Sequence, residues 1–160
     1  MYCVRFAKSE DLAKIEEIYA FARFFMERTG NPDQWGKTNP PTVQLIQYIA
    51  DQRLYVITQD EMIHGVFYFH IGVDPTYAEI YDGAWHSDRA YGTIHRIAGD
   101  GSGGILKTAV SYCRQHIDYL RIDTHHDNRV MQKAVKKCGF RKCGIIYIAD
   151  GTPRIAYDLQ

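Results

Sequence analysis

The sequence lacks the features by which several classes of protein are recognised. Its 19 basic residues balance its 19 acidic residues, so no excess charge attracts the chain to nucleic acid or to an anionic membrane. No apolar run approaches the roughly 20 residues that span a bilayer, and the N-terminal residues become polar too early for a signal peptide. We therefore expect a cytoplasmic protein with neither nucleic acid nor a membrane as its partner.

Cysteine is also scarce. The four cysteines show neither C-x-x-C spacing nor the density of a disulfide scaffold, which favours reduced thiols. Cys113 and Cys138 fall on predicted apolar helix faces, where a thiol behaves as a small hydrophobic side chain.

The sequence does contain enough apolar material for one core. A chain of 160 residues that is 46% hydrophobic and 24% charged is typical of one globular domain. No linker, repeat or low-complexity tract interrupts it. We expect a single domain over residues 1–160.

The first quarter of the chain predicts a strand, a helix and a loop. The strand covers residues 4–7, and Ser9 would cap a helix whose apolar positions recur at helical spacing to about residue 28. The Gly- and Pro-rich residues 30–41 form a loop. This loop carries Trp35, which either packs the loop onto the core or contacts a substrate.

A second helix is predicted over residues 42–51, with Thr42 as its N-cap. Its inward face would carry Val43, Ile46 and Ile49. Runs of β-branched and aromatic residues predict further strands over residues 54–58, 62–71, 77–81, 144–148 and 154–159.

The central stretch, residues 91–140, reads as strand, glycine-rich turn, helix, strand and helix. The turn is Gly-Asp-Gly-Ser-Gly-Gly over residues 99–104. A glycine loop that opens a helix offers free backbone N–H groups and the positive end of the helix dipole, which suits phosphate. Neither the Walker loop nor G-x-G-x-x-G is present, so the expected ligand is a phosphate-bearing cofactor of another kind.

Together these segments resemble the acetyl-CoA-binding core of the GNAT superfamily of N-acyltransferases. The resemblance rests on residues 94–98 (IHRIA), the glycine loop and its helix, residues 120–124 (LRIDT), Asn128, and Gly139 with Phe140. The phrases RIDTHxDN, KKCGF and DGxxRIAY are similar to those of a bacterial subgroup of small GNAT proteins. The resemblance covers nearly the whole chain. It implies a mixed α/β (α+β) fold with a mostly antiparallel sheet, a central parallel strand–helix–strand unit and helices on both faces.

The resemblance also implies a site for acetyl-CoA as acyl donor, with no metal. The strand at residues 94–98 would splay from the next parallel strand, and pantetheine would lie in the gap. The cofactor-binding residues implied in this way are Ile97, Ala98, Gly101, Ser102, Gly103, Gly104 and Asn128.

The catalytic side chains are a separate question. The Tyr that many members use as general acid falls at Val135, and Tyr147 on a later strand is a candidate replacement. Acyl transfer to an amine needs a base at neutral pH, and His95 has suitable chemistry. Strand alternation predicts that His95 shares a face with Thr93 and Ile97, while Arg96 points the other way.

The acceptor implied by the resemblance is a primary amine of a small molecule or a peptide. By analogy with similar folds, Trp35, Glu79 and Trp85 border the acceptor side. Two alternatives stay open: an acyl-CoA-binding protein without turnover, and a metal-dependent hydrolase built on Asp123, His125 and Asp127. A homodimer is also left open.

Overall fold

The computed structural model describes residues 1–160, which contain four α-helices and seven strands. The helices are α1 (Leu12–Arg28), α2 (Thr42–Ala50), α3 (Ile105–Arg114) and α4 (Arg129–Lys137). The strands are β1 (Cys3–Phe6), β2 (Leu54–Gln59), β3 (Met62–Ile71), β4 (Gly92–Gly99), β5 (Leu120–Thr124), β6 (Arg141–Tyr147) and β7 (Pro153–Leu159). None of the helices combines the length and hydropathy needed to cross a bilayer.

All seven strands belong to one sheet in the order β1-β2-β3-β4-β5-β7-β6. Only β4 and β5 are parallel; every other neighbouring pair is antiparallel. Parallel neighbours need a crossover connection, which α3 supplies. The predicted fold class, with its mostly antiparallel sheet and central parallel strand–helix–strand unit, is confirmed.

Helices cover both faces of the sheet. On the α1–α2 face, Val56, Val66 and Tyr68 pack with residues of α1 and α2. On the α3–α4 face, Ile57 and Phe67 pack with residues of α3 and α4. Central strands that are buried on both faces are apolar throughout rather than alternating, as the burial of β2 shows.

The predictions for the N-terminal ends of α1 and α2 are wrong. Ser9 lies in a 3₁₀ turn (Ser9–Asp11) before α1, and the Asp11 carboxylate accepts the backbone N–H of Lys8 at 2.7 Å. Thr42 is the first residue of α2 rather than its cap, and its hydroxyl donates to Glu16 instead. A tertiary partner for the threonine hydroxyl has replaced the local one.

The predicted inward face of α2 is also wrong in part. Val43 is 73% exposed and Ile46 is 51% exposed, whereas Leu45 is buried. Leu45 packs in the core of the α1–α2 face together with Tyr48 and Ile49. The spacing i, i+3, i+4 also defines an inward stripe, and it is this stripe that meets the sheet.

No strand forms over residues 77–81. Pro75–Tyr77 is a 3₁₀ turn, and afterwards only Tyr81 makes an isolated bridge, to Ile145. The turn is set locally: Asp74 Oδ1 accepts the backbone N–H of Thr76 at 3.0 Å, and proline at the first turn position fixes φ.

Candidate active site

A groove opens where β4 leaves β5. The two strands pair only at Gly92–Leu120 and Thr93–Arg121, and beyond these pairs they separate. The gap continues into a cavity of about 1020 Å³ between α1, α3 and α4. Its lining residues are mostly apolar and include Phe21, Phe25, Ile97, Ala98, Leu106 and Met131.

A β-bulge interrupts β4 beside this gap. Val66 pairs with Ala98 and Tyr68 with His95, so Arg96 and Ile97 together face the single residue Phe67. Arg96 takes the left-handed conformation, with φ of 54°. The extra residue leaves backbone groups outside the ladder. At this point β4 also no longer pairs with β5.

The bulge overturns the predicted alternation. Arg96 lies on the α1–α2 face, where its guanidinium carbon is 5.9 Å from the ring centroid of Trp35. His95 lies on the same face, with its ring 5.7 Å from that of Tyr68. Ile97 packs instead against the core of the α3–α4 face. One inserted residue turns the following side chains to the opposite face.

The glycine loop lies at one end of the groove. Gly101 and Gly104 have φ of 96° and 84°, and Gly104 is the N-cap of α3. Both glycines and Ser102 line the groove. Gly103 is absent from the lining, and a side chain added there would point into open space. Lys107 and Lys137 also line the groove and bring positive charge to it.

His95 is held between two carboxylates. Its Nε2 lies 2.7 Å from Asp74 Oδ2, and its Nδ1 lies 3.6 Å from Asp123 Oδ2. The Tyr77 hydroxyl donates to the same Asp123 oxygen at 2.6 Å. The side chains of His95, Asp74 and Asp123 are 28%, 15% and 11% exposed, so this cluster is largely shielded from water.

The carboxylates determine how His95 titrates. Burial acts to lower the pKa of His95, but the hydrogen bond to Asp74 and the negative charges of Asp123 and Asp74 outweigh it and raise the pKa. Burial acts to raise the pKa of Asp74, but the hydrogen bond to His95 and the charge of His95 lower that pKa to about 2. The cluster therefore favours a proton on the imidazole.

No protein-family model and no curated protein matches this sequence. Solved structures do match it. A GNAT-family acetyltransferase from Streptococcus agalactiae is 28% identical, with a TM-score of 0.89 over 99% of this chain and 94% of that protein. The chain belongs to the GNAT superfamily.

Other GNAT structures share the fold at lower identity. A GNAT-family acetyltransferase from Bacillus cereus is 19% identical, with a TM-score of 0.65 over 100% of this chain and 97% of that protein. The Salmonella typhimurium protein yncA, solved with its cofactor acetyl-CoA, is 17% identical, with a TM-score of 0.63 over 99% of this chain and 93% of that protein.

Several residues expected from the GNAT resemblance line the groove, namely Ile97, Ala98, Gly101, Ser102, Gly104 and Asn128. Asn128 also has a structural role. Its Oδ1 caps α4 by accepting the backbone N–H of Met131 at 3.0 Å, and its Nδ2 donates to Gln34 Oε1 at 2.9 Å.

Tyr147 and Glu79 lie away from this groove. They line a separate, smaller pocket with Pro75, Thr76, Ala78 and Tyr81. The Tyr147 side chain is half-exposed, with its ring against Tyr81. Val135, at the position of the usual GNAT tyrosine, is fully buried in the core.

The two tryptophans are packing residues in this GNAT chain. Trp35 is buried edge-on against Tyr19, at 5.5 Å between ring centroids. The Trp85 indole N–H donates to the carbonyl of Tyr77 at 3.2 Å, and the guanidinium of Arg121 lies 4.1 Å from its ring. Of the two roles left open for Trp35, packing the loop onto the core is the one that its contacts describe.

The metal-ligand pattern at alternate positions does not assemble. Asp123 faces His95 and Tyr77, whereas ligand atoms of His125, His126 and Asp127 lie within 4.8 Å of one another. His125 Nδ1 accepts the backbone N–H of Asp127 at 3.1 Å. This bond shapes the turn that leads to Asn128.

Sequence reasoning missed Asp74 and Tyr77. Asp74 lies between the strands predicted over residues 62–71 and 77–81, and Tyr77 was expected to begin the second of these strands. The local signal was Asp74-Pro75-Thr76, a combination typical of a capped turn. Such a turn at the end of a strand places its carboxylate near the neighbouring strand.

Proposed function

We propose that this GNAT protein is an N-acetyltransferase that transfers an acetyl group from acetyl-CoA to a primary amine. The observation that carries the proposal is the groove beside the β4 bulge, which has a glycine loop at one end and Ile97, two residues after His95, in its lining. Its residues fit the donor. The apolar lining suits a pantetheine arm, and the helix N-terminus with Lys107 and Lys137 suits phosphate.

Backbone N–H groups of β4 would stabilise the thioester carbonyl during the transfer. Beyond Thr93, β4 has no partner on the side that faces β5. N–H groups freed by the gap and the bulge can donate to the carbonyl oxygen of a thioester as negative charge develops on it. This role needs no particular side chain.

His95 would act as the general base. An alkylammonium has a pKa near ~10, so an amine acceptor must lose a proton. In the neutral imidazole, with Nε2–H held by Asp74, the lone pair of Nδ1 can accept this proton, directly or through water. Asp74 and Asp123 then stabilise the imidazolium. The amine nitrogen bonds to the acetyl carbon and loses its second proton to solvent, the C–S bond breaks, and the released thiolate takes a proton from solvent.

A bulky side chain placed in the groove tests whether CoA binds there. Ala134 of α4 lines the cavity, whereas the neighbouring Lys133 is exposed and does not. We expect millimolar CoA to raise the melting temperature of the wild type and of Lys133→Trp, and Ala134→Trp to bind CoA at least tenfold more weakly. Equal stabilisation of both variants would place CoA elsewhere.

Turnover is tested by thiol release from acetyl-CoA with a panel of amino acids, polyamines, aminoglycosides and peptides. One productive amine establishes the transferase. Burial of Val135, where many members place a tyrosine, favours a second candidate: an acyl-CoA-binding protein without turnover. CoA binding with no thiol release for any amine would select that candidate.

A further inference from the structure

Arg154 on β7 carries a buried charge without a carboxylate partner. The residue is 6% exposed. Its hydrogen bonds go to neutral oxygens: Thr152 Oγ1 at 3.1 Å, the Pro153 carbonyl at 2.9 Å and the Gln34 carbonyl at 3.5 Å. Buried charges in proteins are usually paired, but none of the hydrogen bonds of this guanidinium goes to a carboxylate.

Arg96 is the second unpaired guanidinium. The bulge brings it to the α1–α2 face, where its Nη2 donates to the amide oxygen of Gln44 at 3.1 Å and its plane lies near Trp35. It forms no salt bridge. A guanidinium has five N–H donors, so most of those of Arg96 remain available, and its side chain is only partly buried.

These two positive charges act on each other. Burial lowers the pKa of Arg154, the charges of Asp123 and Asp150 oppose this effect, and the charge of Arg96 makes the smallest contribution, in the same direction as burial. The segment Gln34–Trp35 connects the two, because Arg154 bonds to the carbonyl of Gln34 and Arg96 lies over the ring of Trp35. An anion bound here would help to offset the burial of Arg154 and the repulsion from Arg96.

The acidic cluster lies directly beside this basic pair. His95 precedes Arg96 in the chain and lies on the same face, between Asp74 and Asp123. This end of the site therefore presents carboxylates where an amine would lose its proton, and guanidinium groups next to them. The complementary ligand has an amine and an anion separated by a short distance.

We propose that the acceptor is a free amino acid, whose carboxylate binds Arg96 with Arg154 as the supporting charge and whose amine faces His95. This inference rests on the proposed function in taking the amine as the acceptor. Arg96 is the contacting residue because it is the more accessible of the two. The carboxylate pairs with it through charge-assisted hydrogen bonds, which are stronger than neutral ones.

The test uses matched ligands on the CoA-loaded protein. Free α-amino acids and their α-carboxamides are titrated by calorimetry, since each pair differs only in the anionic group. We expect the preferred amino acid to bind about 10- to 100-fold more tightly than its carboxamide, as loss of a hydrogen bond to a charged group implies. Carboxamides that bind as tightly, or no binding by any amino acid, would overturn the inference.

Two arginine variants test whether Arg96 binds the carboxylate. Arg96→Gln should weaken binding of the amino acid by a similar factor and leave binding of the carboxamide nearly unchanged. Arg129→Gln, on the exposed surface of α4, should change neither affinity. Unchanged amino-acid affinity in Arg96→Gln would contradict the assignment. Because Arg154 is buried and its replacement threatens folding, Arg96 carries the test.

Thiol release separates this inference from the proposed function. Amino acids that bind through their carboxylate while no amine of the panel releases thiol would refute the transferase and keep the carboxylate site. Equal rates of thiol release with amino acids, carboxamides and simple amines would keep the transferase and refute the carboxylate site.

Discussion

Replacing Asp74 by Asn tests the carboxylate–imidazole pair at the centre of the site. The pKa of Asp74 is about 2 instead of its usual 3.8. At about 1.4 kcal/mol for each tenfold change in the ionisation equilibrium, the fold stabilises the carboxylate by ~2 kcal/mol. Asparagine has nearly the same shape and keeps an oxygen for the N–H of Thr76, so the substitution removes mainly the charge.

The pH dependence follows from the direction of the two shifts. The pKa of Asp74 is lowered on folding, so its contribution is present above its unfolded pKa near 3.8 and is lost as the pH falls through about 2. The pKa of His95 is raised, so its contribution is present below its unfolded pKa near 6.5 and is lost as the pH rises through the folded value. The charged pair therefore contributes fully between about pH 4 and pH 6.5.

Urea unfolding at pH 5.5 and at pH 9 measures this contribution. With a typical urea dependence of about 2 kcal/mol per molar, Asp74→Asn should lower the midpoint by about 1 M at pH 5.5. The difference should shrink at pH 9, where a neutral imidazole leaves a hydrogen bond worth only about 1 kcal/mol. Asp118→Asn is the control, because that side chain is 76% exposed and exposed pairs contribute less than about 1 kcal/mol. A midpoint difference of the same size at both pH values would refute the reasoning.

Two further predictions concern the frame of the site. Asn128→Ala should lower the stability by about 1–2 kcal/mol because α4 loses its cap, whereas Asn128→Asp keeps the Oδ1 acceptor and should lose less; thermal unfolding that ranks the two variants the other way would contradict this. Gly92→Ala should cost about 1–3 kcal/mol through overpacking, because its Cβ would lie 2.6 Å from a ring carbon of Phe69. Gly103→Ala has open space and should unfold near the wild-type urea midpoint; a midpoint for Gly92→Ala equal to that of Gly103→Ala would contradict the packing argument.

Local patterns in the sequence were enough for most of the fold. Helical spacing of apolar residues predicted α1 and α3, and β-branched and aromatic runs predicted β2 and β3. The glycine cluster before Ile105 predicted a helix N-terminus, and Gly104 is the N-cap of α3. These features were predictable because each depends on neighbours a few positions away.

The helix faces and caps were less predictable because tertiary partners compete with local ones. Thr42 donates to Glu16 on another helix, and α2 turns Leu45 rather than Val43 toward the sheet. The strength of such contacts depends on how α2 lies against α1 and β2, which periodicity within nine residues does not specify.

The sequence by itself determined that residues 91–140 form a strand–loop–helix–strand–helix unit suited to a phosphate-bearing ligand, because glycine content and apolar spacing are local properties. Only the tertiary structure decided which side chains lie around His95. The bulge at Arg96 depends on the register between β3 and β4, and it places the arginine on the same face of the sheet as His95, over the ring of Trp35. Asp74 and Asp123 reach His95 from separate segments of the chain. Such encounters depend on how strands pair across the sheet, and no local pattern records that pairing.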